Sequence, residues 1–265
     1  MIYSDLLAKV HEVLEERLKA ASGNVSGGAT APTGSAEAES TSSEGTSTSA
    51  AGAAPITDDH TQFGASIQHW PIFSDTSAAL HRLSRYFKLV VLSNVDRTSF
   101  RHTHLGLSEG RQDEASGSMP ESKLSLYTYP EPNPHRFWHP KETEGSRSPF
   151  TLIVTAQDVA CYKPALGGFQ AILQYAADHP DLFGNIAPTA EGVKEKTLSV
   201  AQSLPHDHIP AARLGMRSVW IDRQDAVTLN DDDGSYKYLW KFNTLGEFAD
   251  AVEKESAELN ASRKD

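Results

Sequence analysis

KLVVLSN (88–94) is an almost uninterrupted apolar run of strand length that ends on a serine and an asparagine. Three further runs of the same kind follow it along the chain: FTLIVTAQD (150–158), TLSVAQS (197–203) and RSVWIDR (217–223). Continuous apolar character, rather than alternation, is typical of parallel strands that are covered on both faces. Helical stretches such as GGFQAILQYAADH (167–179) separate the runs. This rhythm predicts an α/β fold with a doubly wound, parallel, Rossmann-like sheet.

The rest of the chain divides into helices and two polar segments. Residues 4 to 20 carry apolar side chains at helical spacing, which predicts an amphipathic helix. The stretch 21–55 is so rich in Ala, Gly, Ser and Thr that burial cannot offset the entropy of ordering it, so we expect disorder there. A polar, Pro- and Ser-rich insertion at 106–149 is expected to be mobile for the same reason. A final amphipathic helix closes the chain.

Composition restricts the partners and the compartment. With 35 acidic against 24 basic residues and a formal charge of -11, the chain has no field that attracts nucleic acid or anionic lipid. The one cysteine, Cys161, cannot form an internal disulfide, and the N-terminus has no apolar signal core. No apolar run approaches the roughly 20 residues that cross a bilayer. We therefore expect a soluble, cytoplasmic protein without nucleic-acid or membrane partners.

Polar residues follow three of the apolar runs, at the sheet edge where α/β proteins bind ligands. Ser93 and Asn94 end the first run, Lys163 follows the second, and Asp207 lies just beyond the third. A hydroxyl, an amide, an ammonium and a carboxylate at one edge would bind a small anionic substrate. Each residue also has an ordinary structural alternative, as a turn, a solvated loop residue or a helix cap.

The order and spacing of LVVLSN, YKP and SVAQSLPHDH resemble the second, third and fourth motifs of the haloacid dehalogenase (HAD) superfamily. The surrounding sequence is most similar to type II 2-haloacid dehalogenase-like hydrolases, from the first helix to the last but without the two low-complexity insertions. The resemblance implies that residues 1–75 are the remnant of a helical cap, that 76–252 form the Rossmann-like core, and that 253–265 are a tail.

The same resemblance implies a role for each site residue. Ser93 and Asn94 would contact the substrate carboxylate or the nucleophile. Lys163 would offset carboxylate charge, and Asp207 would orient Lys163. These two are the expected catalytic residues, and the substrate is expected to be a small-molecule anion.

The family's nucleophile is missing from this pattern. In the family an aspartate at the end of the first strand, before the cap, attacks the substrate and forms an ester that water then cleaves; none of the residues above can replace it. Asp222 follows RSVWI but ends the last strand, so a circular permutation is a weaker alternative. Loss of the central first strand would leave either a gap of roughly 9 to 10 Å between its two neighbours or a collapsed sheet in which they pair directly.

The substrate-determining positions also differ from the family. Dehalogenases proper have a tyrosine where this chain has Phe169, and a serine and an asparagine where it has Gln202 and Leu204. The phosphatase branch has an aspartate at the Gln202 position to hold Mg²⁺, a cation that prefers oxygen ligands, so we predict no Mg²⁺ and no other cofactor.

Four residues near Asp207 are candidate accessory residues: Gln202, Ser203, His206 and His208. The two histidines have no third ligand at useful spacing, which favours local hydrogen bonds over a metal site. We therefore predict no bound metal.

Three functions remain open at this point. The first is a HAD-type hydrolase that acts through an aspartyl ester on a small organic acid or phosphorylated metabolite and is inactive without its first strand. The second is a non-catalytic small-anion-binding or regulatory derivative. The third is an interaction scaffold that uses the polar segments. A homodimer is compatible with each of them.

Overall fold

A computed structural model describes residues 2–23, 58–110, 121–184, 189–223 and 238–262. The chain divides into two compact units, Tyr3–Ile67 and Gln68–Asp265. The bounds 1–75, 76–252 and 253–265 that the resemblance implies stay a prediction. Within the described ranges, no helix is long and apolar enough to cross a membrane.

The first unit consists of two helices that pack closely. Helix α1 spans Tyr3–Gly23 and α2 spans Asp59–Ala65. Asp58 caps α2 by accepting a hydrogen bond from the Thr61 backbone N–H at 2.8 Å. Gly64 allows the close approach, because a Cβ there would collide with the carbonyl oxygen of Ser4.

The second unit alternates strands and helices. Its described strands are β1 Leu89–Ser93, β2 Phe150–Thr155, β3 Leu198–Ala201, β4 Arg217–Ile221 and β5 Trp240–Phe242. Its described α-helices are α3 Thr76–Leu83, α4 Arg97–Glu109, α5 Glu121–Leu124, α6 Ala156–Val159, α7 Gly167–Asp178, α8 Ala190–Glu195, α9 Ile209–Arg213 and α10 Leu245–Ser262. Short 3-10 turns and a single π-helical turn, Leu204–His208, connect them.

The strands pair in parallel, which confirms the predicted α/β class. Strand β1 pairs with β2, and Ser93 lies opposite Thr155. Strands β3, β4 and β5 form a second parallel sheet in that order. Among the described residues β1 and β3 do not pair with each other, so the collapsed sheet does not form.

Strands β1 and β3, between which the resemblance implies the missing strand, are more exposed than β2 and β4. All residues of β2 are buried, and in β4 only Arg217 is exposed. Every residue of β1 is half-buried, and Val200 in the middle of β3 is 38% exposed. Strands β1 and β3 are therefore less covered than β2 and β4, although both are mainly apolar.

The core lies around β2 and β4. Aromatic and aliphatic side chains bury both faces of β2: Phe100, Phe137, Leu152, Ile153, Val154 and Tyr175. Val219 and Ile221 of β4 pack against Leu83 and Phe248. Full burial of such side chains contributes about 1.5–3 kcal/mol each, so these two strands supply much of the unit's stability.

The described part of the 106–149 insertion packs against the core, which differs from the mobility expected of it. Tyr127 and Phe137 are fully buried, and Trp138 is 2% exposed. The backbone of Trp138 also forms an antiparallel bridge with Ile153 of β2. A few aromatic side chains bury enough area to order a segment whose average composition is polar.

The last helix, α10, runs without a break through the boundary expected between core and tail. Arg82 of α3 contacts Asp250 and Glu253 of α10 at 2.5 and 2.6 Å. Residues 253–262 therefore continue a helix that is attached to the core.

Candidate functional site

Lys163 lies between the end of β1 and the turn that follows β3. Its Nζ donates to the Leu92 carbonyl oxygen at 3.0 Å and to Asp207 Oδ1 at 2.7 Å. The lysine and aspartate side chains are 17% and 13% exposed. Charge-assisted hydrogen bonds are short and strong where water is largely excluded. The ammonium thus links the end of β1 to the turn that follows β3.

Asn94 holds the backbone of Lys163 in place. Its Oδ1 accepts from the Lys163 backbone N–H at 2.7 Å, and its Nδ2 donates to the Lys163 carbonyl oxygen at 3.1 Å. The amide therefore satisfies both main-chain groups of one residue. The direct contact with substrate or nucleophile that the resemblance implies for Asn94 stays a prediction.

Loss of this amide is expected to destabilise the protein. Asn94→Leu would leave the N–H and the carbonyl of Lys163 without these partners, and an unsatisfied buried polar group costs about 1–3 kcal/mol. We expect that loss in urea unfolding. Asn94→Asp keeps the acceptor for the N–H and should lose less. Equal stability of the two variants and the unchanged protein would show that the pairing has no role in positioning Lys163.

Asp207 lies on the π-helical turn Leu204–His208, which Ser203 caps. Ser203 Oγ accepts from the His206 backbone N–H at 3.3 Å and lies 3.0 Å from His206 Nδ1. His206 itself is exposed. On this turn the Asp207 carboxylate faces Lys163. The orienting role that the resemblance implies for Asp207 stays a prediction.

His208 is buried behind this turn. Its Nε2 lies 3.1 Å from the Ala201 carbonyl oxygen, and its Nδ1 lies 3.0 Å from Ser218 Oγ. Because a carbonyl only accepts, Nε2 carries the proton and Nδ1 accepts from the serine hydroxyl. Burial lowers the pKa of His208, which favours this neutral form. The ring joins β3 to β4 through these two hydrogen bonds.

The remaining sequence candidates lie at the edge of this group. Ser93 ends β1 directly before Asn94. The Gln202 carbonyl oxygen accepts from the Trp220 indole N–H at 2.9 Å, which fixes the start of the turn. Asp222, the alternative nucleophile, pairs with Lys241 Nζ at 2.7 Å between β4 and β5.

Sequence reasoning missed the ion pair that supports the Lys163 loop. Asp158 caps α6 by accepting from the Thr155 backbone N–H at 2.7 Å. The other carboxylate oxygen accepts from Arg97 Nε at 2.8 Å, and the Asp158 side chain is only 1% exposed. The Thr-x-x-Asp spacing of a capping box was the available signal.

Comparison with known proteins gives a distant likeness. The chain is similar to the crystal structure of a HAD phosphatase from Thermococcus onnurineus, with a TM-score of 0.38 and 19% sequence identity. The alignment covers 68% of this chain and 58% of that one, so the chain spans less than two thirds of that structure. No protein-family model and no curated protein matches the chain.

Proposed function

We propose that the chain carries the anion-binding part of a HAD-type hydrolase site for a small organic acid or phosphorylated metabolite. The observation that carries the proposal is the Lys163 ammonium, held by Leu92 and Asp207 at the carboxyl end of β1. An ammonium has three N–H donors. These two acceptors use two of them among the described residues, and the third is available to a substrate oxygen.

The hydrolytic step in this proposal needs a carboxylate nucleophile opposite Lys163. We place it on a further parallel strand between β1 and β3 that the described residues do not supply, because both strands are mainly apolar, half-buried and unpaired with each other in the described structure. A carboxylate oxygen would attack the substrate and expel the leaving group, and water would then cleave the ester. Asp207 is unsuited to this role because it pairs with Lys163.

Anion binding by the 265-residue chain is the first test. We expect titration calorimetry with inorganic phosphate or 2-chloropropionate to detect binding of at least one of them. Lys163→Met should weaken that binding at least tenfold, which corresponds to about 1.4 kcal/mol. Lys254→Met is the matched control, because Lys254 is an exposed lysine on α10. Failure to bind either anion, or equal binding by the Lys163 and Lys254 variants, would contradict the proposal.

Ester formation is the second test and separates the hydrolase from a non-catalytic binding derivative. Sequencing of the gene upstream of Met1 should reveal an in-frame apolar strand that ends in an aspartate. The chain extended by that strand should gain the mass of a covalent substrate ester when quenched during turnover, and the 265-residue chain should not. An extended chain that binds the anion but never forms the ester would favour the binding derivative.

A further inference from the structure

A second cluster of polar side chains lies in the described part of the insertion, away from Lys163. The backbone that leads into it is fixed, because Trp138 and Ile153 exchange N–H to carbonyl hydrogen bonds of 3.3 and 3.0 Å. Phe137, Trp138, His139 and Pro140 are all buried. The 3-10 turn Pro140–Glu142 follows directly. The position of His139 is therefore set by the packing of its neighbours on β2.

Two histidines in this cluster face one carboxylate. His135 Nε2 lies 2.8 Å from Glu142 Oε2, and His139 Nδ1 lies 2.9 Å from Glu142 Oε1. The imidazole rings stack with centroids 4.0 Å apart and an interplanar angle of 16°. One candidate ligand atom from each of the three residues lies within 4.8 Å of the others.

We propose that His135, His139 and Glu142 form a binding site for a divalent transition-metal ion of the Zn²⁺ class. Two imidazole nitrogens and one carboxylate oxygen suit Zn²⁺, Co²⁺ or Ni²⁺, whereas Mg²⁺ and Ca²⁺ prefer oxygen ligands alone. Three protein ligands leave the fourth tetrahedral position for water or a small ligand. This site differs from the sequence prediction, which expected no metal.

Binding of one ion requires the side chains to rearrange, because each nitrogen lone pair lies in its ring plane and two stacked rings cannot both direct a nitrogen at the same ion. Metal–ligand bonds of about 2.0–2.2 Å place tetrahedral ligand atoms roughly 3.3–3.6 Å apart. The adjustment falls to His135 and Glu142, whose side chains are 33% and 57% exposed. His139, with a side chain 7% exposed, is the fixed ligand.

Tyr175 contacts the ring nitrogen of His139 that does not face Glu142. Its hydroxyl lies 2.8 Å from His139 Nε2, and its ring packs edge-on to Phe137 and stacks on His179. A tyrosine hydroxyl both donates and accepts, so it satisfies Nε2 in either tautomer. When Nδ1 binds a metal, Nε2 carries the proton and donates to this oxygen. Metal-bound histidines are oriented by partners of this kind.

Co²⁺ and Zn²⁺ are the probes for the experiment, with the full chain first stripped of metal by a chelator. We expect one equivalent of Co²⁺ to give the visible absorption of a tetrahedral site, and Zn²⁺ to displace it with a stoichiometry of one. A hundredfold excess of Zn²⁺ over its dissociation constant should raise the melting temperature by about 5 °C. His135→Ala and Glu142→Gln should each weaken binding at least tenfold, and both change exposed side chains that leave the core intact.

His11→Ala is the matched control, because His11 and His60 form a second close histidine pair, with their Nδ1 atoms 2.9 Å apart. This variant should bind both ions like the unchanged chain. Absence of the tetrahedral Co²⁺ spectrum, unchanged affinity in the His135 and Glu142 variants, or loss of the bound ion in the His11 variant would each overturn the proposal. None of these measurements depends on Lys163, so failure here is distinguishable from failure of the proposed function.

Discussion

Acidification from pH 6.5 to pH 4 is expected to cost the protein about 3 kcal/mol of stability through His104 alone. His104 lies on α4 and is fully buried, with Nε2 2.7 Å from Ser148 Oγ. Its ring meets those of Tyr127 and Trp138 edge-on at 5.0 and 4.6 Å. Burial lowers the pKa of His104 to about 3, because the charged form would lose its hydration.

The sign of this stability change follows from which state of the protein binds the proton. An exposed histidine in the unfolded chain has a pKa of about 6.5. Between that value and about 3, the unfolded state binds a proton at this position and the folded state does not. The folded state therefore keeps its full stability above about pH 6.5 and loses up to about 1.4 kcal/mol per pH unit below it.

Urea unfolding at pH 7, 6, 5 and 4 measures this effect against a variant that does not titrate. His104→Gln retains a polar group for Ser148, so its stability should fall less steeply with pH. The difference between variant and unchanged protein should change by about 3 kcal/mol between pH 7 and pH 4. Parallel curves for the His104 variant and the unchanged protein would contradict the prediction.

The strands were predictable from local sequence. The runs 88–94, 150–158, 197–203 and 217–223 contain β1 to β4, and the strands occupy the apolar part of each run. Such runs need only their own composition to indicate a buried strand. Strand β5 escaped prediction because WKF (240–242) is short and two of its three residues are exposed.

The contacts that define the site were harder to predict because they join distant parts of the chain. The sequence placed Asn94, Lys163 and Asp207 at one edge, and the structure brings these three together. The sequence did not indicate that the side-chain amide of Asn94 pairs with the backbone of Lys163, which lies 69 residues further along the chain. The same reason applies to His139, whose partner Tyr175 comes from α7.

The insertion at 106–149 shows how the average composition of a segment can hide its buried residues. An average over 106–149 is polar, but stability depends on what the few aromatic residues contact. Phe137 packs on Leu152 and Val154, and Trp138 packs on Phe150 and Ile153. These contacts join residues that are far apart in the sequence, so the average composition of one segment does not reveal them. The histidine and glutamate cluster is ordered by the same contacts, so its geometry was equally hidden.

Trp138→Ala is expected to destabilise the protein by about 3–5 kcal/mol, because a buried tryptophan leaves a large cavity when truncated. Trp138 is 2% exposed and packs against Phe100, Phe150 and Ile153. Its indole N–H has no hydrogen-bond partner among the described residues. Trp138→Phe removes that buried polar atom but keeps an aromatic ring, so it should cost only about 1 kcal/mol. Trp240→Ala is the control, since Trp240 is 49% exposed and should cost less than about 1 kcal/mol. Urea unfolding measures all three variants at pH 7, where His104 is neutral in the folded state and mostly neutral in the unfolded chain. Equal losses of stability in the Trp138→Ala and Trp240→Ala variants would mean that the insertion does not belong to the cooperative core. The metal-site proposal would then lose the ordered backbone on which it depends.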